Sequence, residues 1–171
     1  TNNRGILVMN LFLESQFKIN GKVVVITGAA GLLGRKHAEA VAAFGGTPIL
    51  LDLNKKGVEE IASDLNRKYS VSALGMAVDI TNEREIVDNC KQLVKSFGKI
   101  DALVNNAANN PKMEDSNKKN FSRLENFSLE AWKQDIAVGL TGSFLCAKHY
   151  GFAISQNSHG GSIINISSDL G

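Results

Sequence analysis

The chain has 171 residues, 43% apolar and 21% charged, a mixture that excludes a disordered tail or a fibre and predicts one domain with its own core. A net charge of +2 predicts neither a nucleic-acid partner nor a membrane surface. Cys90 and Cys146, its two cysteines, lie far apart without metal-ligand spacing. They point to a reducing, cytoplasmic compartment with no disulfide framework and no metal.

Residues 6–13 (ILVMNLFL) form an apolar run after Arg4. It is far short of the roughly 20 residues that span a bilayer. Glu14-Ser15-Gln16 is a poor signal-peptide cleavage site. The expectation is a start at Met9, with residues 1–8 a leader; the alternative for 1–20 is an N-terminal arm packed on a neighbour. Val23 to Ile26 is a β-branched run before a glycine-rich turn, and reads as a buried parallel strand. A helix follows, with Leu33, His37, Val41 and Phe44 at three- and four-residue spacing, ended by Gly45-Gly46. Thr47 to Leu51 is the second strand. Val58, Ile61, Ala62, Leu65 and Tyr69 mark a second helix, and Ala73 to Val78 a third strand. Ile86, Cys90, Leu93, Val94 and Phe97 stripe a third helix closed by Gly98, and Ala102 to Val104 is the fourth strand. The polar connection from Asn109 to Ser128 predicts a lid or wall on the substrate side. Leu129, Trp132, Ile136, Leu140 and Phe144 stripe a long helix reaching the mid-150s, with Trp132 and Phe144 read as packing residues. Ser162 to Ile166 is the fifth strand. The alternation predicts an α/β fold, a Rossmann-like doubly wound parallel sheet spanning 21–171 with about five strands and helices on both faces.

The stretch Thr27-Gly28-Ala29-Ala30-Gly31-Leu32-Leu33-Gly34 joins the first strand to the first helix, the context a dinucleotide fingerprint requires. Gly28 permits the tight turn, Gly31 lets backbone approach a pyrophosphate, and Gly34 lets helix and sheet pack closely. Leu32 and Leu33 begin a helix whose N-terminus offers N–H groups to phosphates. Asp52 ends the second strand, 24 residues after Gly28. A carboxylate there can bond both adenosine ribose hydroxyls and repels a 2′-phosphate, so NAD is expected over NADP. Lys55 and Lys56 nearby read as a solvated helix face; the alternative for Asp52 is a helix N-cap.

These motifs, with Asp79-Ile80-Thr81, Asn105-Asn106-Ala107-Ala108 and Gly161-Ser162-Ile163-Ile164-Asn165-Ile166-Ser167-Ser168, make residues 20–171 resemble a short-chain dehydrogenase/reductase. The resemblance implies that Asp79 and Ile80 meet the adenine and that Asn105 to Ala107 line the ribose and hold the sheet centre. It implies that Ser168 is the catalytic serine, hydrogen-bonded to a substrate oxygen where charge develops. Plain turn chemistry is the alternative for Ser167 and Ser168.

Three departures stand out. The middle glycine falls at Gly31 and not at 32, the spacing of the extended, sugar-nucleotide-modifying branch. Gly139 occupies the place of the asparagine that holds the family's relay water. The family's Tyr-x-x-x-Lys is missing, since Tyr69 is followed four residues later by Ala73 and Tyr150 by Ile154. That pair normally lies beyond Ser168, so the expectation is a shortened form of a longer enzyme of roughly 250 residues, inactive as it stands and homo-oligomeric at full length. Its expected substrate is a small molecule, an alcohol or ketone, with a sugar derivative suggested by a resemblance to oxidoreductases of bacterial surface-sugar or flagellin modification. The alternatives are a sugar-nucleotide epimerase or dehydratase, a catalytically silent NAD-binding protein, and a doubly wound methyltransferase. His37, His149 and His159 share no metal-ligand spacing and read as helix-face or loop residues.

Overall fold

A computed structural model describes residues 16–109 and 123–167. The expected leader at 1–8, most of the expected lid, and Ser168 lie outside the described residues. Five strands form one parallel sheet: β1 Val23–Thr27, β2 Thr47–Asp52, β3 Leu74–Ala77, β4 Ala102–Asn105 and β5 Ser162–Asn165. Their spatial order is β3-β2-β1-β4-β5. The helices are α1 Leu32–Ala43, α2 Lys55–Tyr69, α3 Glu83–Phe97, α4 Leu129–Asp135 and α5 Ser143–Ser155. A π segment, Ile136–Gly142, joins α4 to α5.

All five β1 residues are buried, as are the four central residues of β2. Strands covered on both faces need such unbroken apolar runs. Two cores result. Val25, Leu51 and Leu103 pack on one face with Ile86 and Leu93 of α3 and Cys146 and Tyr150 of α5. Ile26, Leu50 and Val104 pack on the other with Ala38 of α1 and Val58 of α2. Among the described residues β5 is an edge, and all four of its residues are exposed.

Two helices bury faces other than the expected ones. In α1 the buried residues are Gly34, Ala38 and Ala42, while Leu33 and Phe44 are exposed. The helix lies so close to the β1 turn that only small side chains fit beneath it. In the long helix Leu129, Trp132, Leu140 and Phe144 are exposed, so Trp132 and Phe144 do not pack as expected. The buried line is instead Leu145, Cys146, Tyr150 and Ile154. The π segment widens the turn and rotates the register between α4 and α5, so one 3.6-residue stripe does not run through both.

Buried polar groups tie the elements together. Tyr150 Oη donates to Asn89 Oδ1 at 2.8 Å, joining α5 to α3. Asn105 Nδ2 donates to Asn165 Oδ1 at 2.9 Å and to Ser143 O at 3.2 Å. At the opposite end of the sheet Asp101, 5% exposed, accepts the Val23 N–H at 2.9 Å. Lys22 and Lys99 each approach it at 3.0 Å, as does His159 Nε2. Burial alone would raise the pKa of this carboxyl; the Val23 N–H, His159, Lys22 and Lys99 overcome that and hold it well below the usual range.

Candidate functional site

The strand order reverses between β1 and β4, and at such a switch point a crevice opens beyond the carboxyl ends of the strands. Side chains and backbone stitch its floor. Thr27 Oγ1 accepts the N–H groups of Asn106 at 3.0 Å and Ala107 at 3.1 Å. Asn106 Nδ2 donates to Thr27 O at 3.0 Å and Gly28 O at 3.2 Å. Gly28 has φ +63°, and a Cβ there would stand 2.7 Å from Ala107 Cα. Only glycine lets the turn reach the β4 loop. A Cβ on Gly34 would stand 2.3 Å from Gly28 O, so the turn and α1 lock together.

Above this floor lies a cavity of about 530 Å³. Of the expected site residues, Gly28, Gly31, Leu32, Leu33, Asp52, Asp79, Ile80 and Ala107 line it. Thr27, Gly34 and Asn105 do not: they are buried beneath the wall and hold it in shape. The wall also uses Leu53, Val78, Gln134 and Val138, which sequence reasoning missed. Gln134 and Val138 are four residues apart, so a helical spacing off the apolar stripe was the available signal.

The geometry suits a dinucleotide. Gly31 caps α1 without a side-chain bond, and the first turn of α1 carries no acid. Its N–H groups are therefore free for an anion. Asp52 Oδ2 accepts the Ala30 N–H at 3.0 Å and Oδ1 the Asn54 N–H at 2.9 Å. Each oxygen keeps a lone pair for a ribose hydroxyl. The α2 N-cap is Asn54, whose side chain accepts the Gly57 N–H, so the cap alternative for Asp52 is not the arrangement found. Asp79 Oδ1 accepts from Thr81 N and Oγ1 at 2.8 and 2.7 Å, which orients the carboxylate in the wall. Among the described residues the cavity lining holds these two acids and no lysine or arginine.

Leu32 is the first residue of α1, 80% exposed at the cavity. The shifted glycine spacing thus puts a leucyl side chain at the mouth. Among the described residues a Cβ on Gly139 would meet nothing within 4 Å outside the helix's own backbone, so the place of the relay asparagine is open there. Neither tyrosine stands free. Tyr69 Oη donates to Glu39 at 3.1 Å. Tyr150 is buried, and that burial pushes its phenol far above the ordinary value. Cys90 and Cys146 are both free thiols, and burial pushes Cys146 up to about 12. Among the described residues no helix is long and apolar enough to cross a membrane.

The family model for short chain dehydrogenases matches residues 22–171. The chain is 30% identical over 161 residues to a D-threitol dehydrogenase of Mycolicibacterium smegmatis, covering 92% of this chain and 56% of that protein. It is 31% identical over 161 residues to the trans-4-hydroxycyclohexanecarboxylate dehydrogenase of Sinomonas cyclohexanicum, covering 90% and 57%. The chain thus spans a little over half the length of these relatives. Its fold matches an NAD+-bound xylitol dehydrogenase with a TM-score of 0.77 at 27% identity, over 88% of this chain and 54% of that one. It matches an NADPH-dependent 3-quinuclidinone reductase from Rhodotorula rubra with a TM-score of 0.75 at 26% identity, over 91% and 55%. A parallel sheet with its switch-point cavity, a glycine turn locked to α1 and a family match over nearly the whole chain lead to one conclusion: the chain belongs to the short-chain dehydrogenase family of oxidoreductases.

Proposed function

We propose that the chain is the cofactor-binding part of a cytoplasmic oxidoreductase that uses NAD, with a small-molecule alcohol or ketone as substrate. The observation that carries the NAD reading is the charge of the cavity lining: among the described residues it holds Asp52 and Asp79 and no lysine or arginine. A 2′-phosphate beside Asp52 would meet a like charge. Arg35 Nη2 is the nearby candidate cation, and it donates to Ala30 O at 3.0 Å. Lys55 and Lys56 lie 3.8 Å from Glu59 and Glu60. In this reading the α1 N-terminus holds the pyrophosphate, Asp52 the adenosine ribose, and Asp79 with Ile80 the adenine. Asn105 to Ala107 fix the β4 loop beside it. Bound NAD supplies the hydride acceptor; the chain's residues orient it and exclude the phosphorylated form.

Titration calorimetry with NAD and NADP tests this. Asp52→Ala should weaken NAD by about 2 kcal/mol, roughly thirtyfold, and narrow the NAD:NADP ratio. An unchanged ratio would refute the assignment. Ser168 is proposed as the serine that bonds the substrate oxygen. In an active full-length protein Ser168→Ala should lower kcat roughly 100-fold and leave NAD affinity within about twofold. Loss of NAD binding instead would make the serine structural.

A second reading is a silent NAD-binding protein. It is favoured by Gly139, which has no side chain where the family's asparagine holds a relay water. NAD binding without turnover of any alcohol or ketone would select it.

A further inference from the structure

We propose that Gln134 reads the base of the dinucleotide: its amide pairs with the amine edge of adenine and sets the preference for an adenine nucleotide. The proposal rests on the NAD reading above and adds to it a specificity residue from α4.

Gln134 reaches the cavity from outside the strand-end loops that supply most of the wall. Gln134, Val138 and Gly142 recur every four residues through α4 and the π segment, so they share one face. That face is the inward one, and it runs along Ile80. A Cβ on Gly142 would stand 2.7 Å from Ile80 Cδ1. Val138 packs on the core cluster that holds Ile80. Towards the start of α4 the line leaves the core and enters the cavity, where Gln134 and Val138 line the wall together with Asp79, Ile80 and Thr81. The neighbouring residue fixes the backbone there. Asp135 Oδ1 accepts the Asn109 Nδ2 donor at 2.8 Å, which ties the end of α4 to the β4 loop. A fixed backbone limits the entropy lost when the Gln134 side chain is ordered on a ligand.

The groups in this part of the wall complement one another. Gln134 is exposed, and among the described residues its amide makes no hydrogen bond. It therefore offers a donor and an acceptor side by side. Asp79 offers acceptors only: Oδ1 takes both bonds from Thr81, at 2.8 and 2.7 Å, and Oδ2 accepts none among the described residues. Ile80 and Val138 supply apolar contact for a flat ring. Adenine answers this set. Its N6 amine carries two N–H donors, enough for Asp79 and for Gln134 Oε1. A ring nitrogen beside that amine accepts from Gln134 Nε2. Glutamine pairs with an adenine edge in this two-bonded way in nucleic-acid recognition. A 6-oxo purine would set an acceptor against the Asp79 carboxylate and leave both unpaired.

The test is calorimetric titration of the full chain with NAD and with its 1,N6-etheno analogue, in which the bridged N6 has no hydrogen to donate. The wild type should prefer NAD by at least about tenfold. Gln134→Leu keeps the bulk of the side chain and removes both bonds. It should weaken NAD by about tenfold and leave the etheno analogue within about twofold. Because Gln134 has no internal hydrogen bond to lose, its urea midpoint should match that of the wild type, a result that a structural role would not give. The NAD:NADP ratio, assigned to Asp52, should stay as in the wild type. Equal affinity of the wild type for the two dinucleotides, equal losses for both in Gln134→Leu, or unchanged NAD affinity in that variant would each overturn the proposal and leave the NAD reading standing. Absence of NAD binding by the wild type would overturn both.

Discussion

Gly34→Ala should destabilise the protein by about 3 kcal/mol and weaken NAD at least tenfold, while Gly139→Ala costs nothing. A Cβ on Gly34 would stand 2.3 Å from Gly28 O and 2.7 Å from Ala29 Cα. Both are backbone atoms, so relief requires α1 to lift off the β1 turn. That motion carries away the first-turn N–H groups and uncovers Ala38 and Ala42, which lie on the same buried line. Gly31 is the graded control: its φ is −71° and its Cβ would stand 3.2 Å from Gly28 O, so Gly31→Ala should fall between the two. At Gly139 an added Cβ would meet nothing within 4 Å among the described residues outside the helix's own backbone. Alanine there reduces unfolded-chain entropy and should add up to about 1 kcal/mol. Urea unfolding of the three variants, with NAD titration of each, gives the order. Equal costs at 34 and 139 would remove the packing argument for the turn.

The features legible in the sequence were those with local causes. Strands β1 and β2 announce themselves as apolar runs, and Gly28, Gly31 and Asp52 by their position after strands. Features that depend on distant partners were not legible. Nothing local marks Asn89 as a buried residue; it is buried because Tyr150, 61 residues on, brings its hydroxyl there. The face of α1 departs from its apolar stripe because close approach reverses the usual rule: the residues against the sheet are the smallest, and the larger Leu33 and Phe44 stand aside. The long helix departs from a single stripe because the π segment Ile136–Gly142 breaks the 3.6-residue period. Gln134 and Val138 reach the cavity because the end of α4 and the start of the π segment lie beside the β4 loop, where Asn109 Nδ2 donates to Asp135 Oδ1 at 2.8 Å.

The second large effect should come from Asp101, far from the cofactor cavity. Asp101→Ala should cost about 3 kcal/mol at pH 7. The loss has two parts. The Val23 N–H, buried at the start of β1, is left without its 2.9 Å acceptor. Lys22, Lys99 and His159 lose the carboxylate that gathers β1, β4 and the turn before β5. Because those cations are partly exposed, water recovers some of their share, and the N–H does not recover. Asp101→Asn keeps an acceptor and loses the charge, so it should cost about half as much. The pH dependence separates charge from hydrogen bond. In the unfolded chain the carboxyl titrates near 3.9; in the folded protein it titrates well below the usual range. Its contribution is therefore complete above the unfolded value and is lost as pH falls through the folded one. By pH 3 the wild-type advantage over Asp101→Ala should have shrunk by about 1 kcal/mol. Urea unfolding at pH 7 and pH 3 measures both gaps. A gap of equal size at the two values would mean that the carboxylate acts through packing alone, and the ion cluster at the base of the sheet would then contribute nothing to holding β1, β4 and β5 in register.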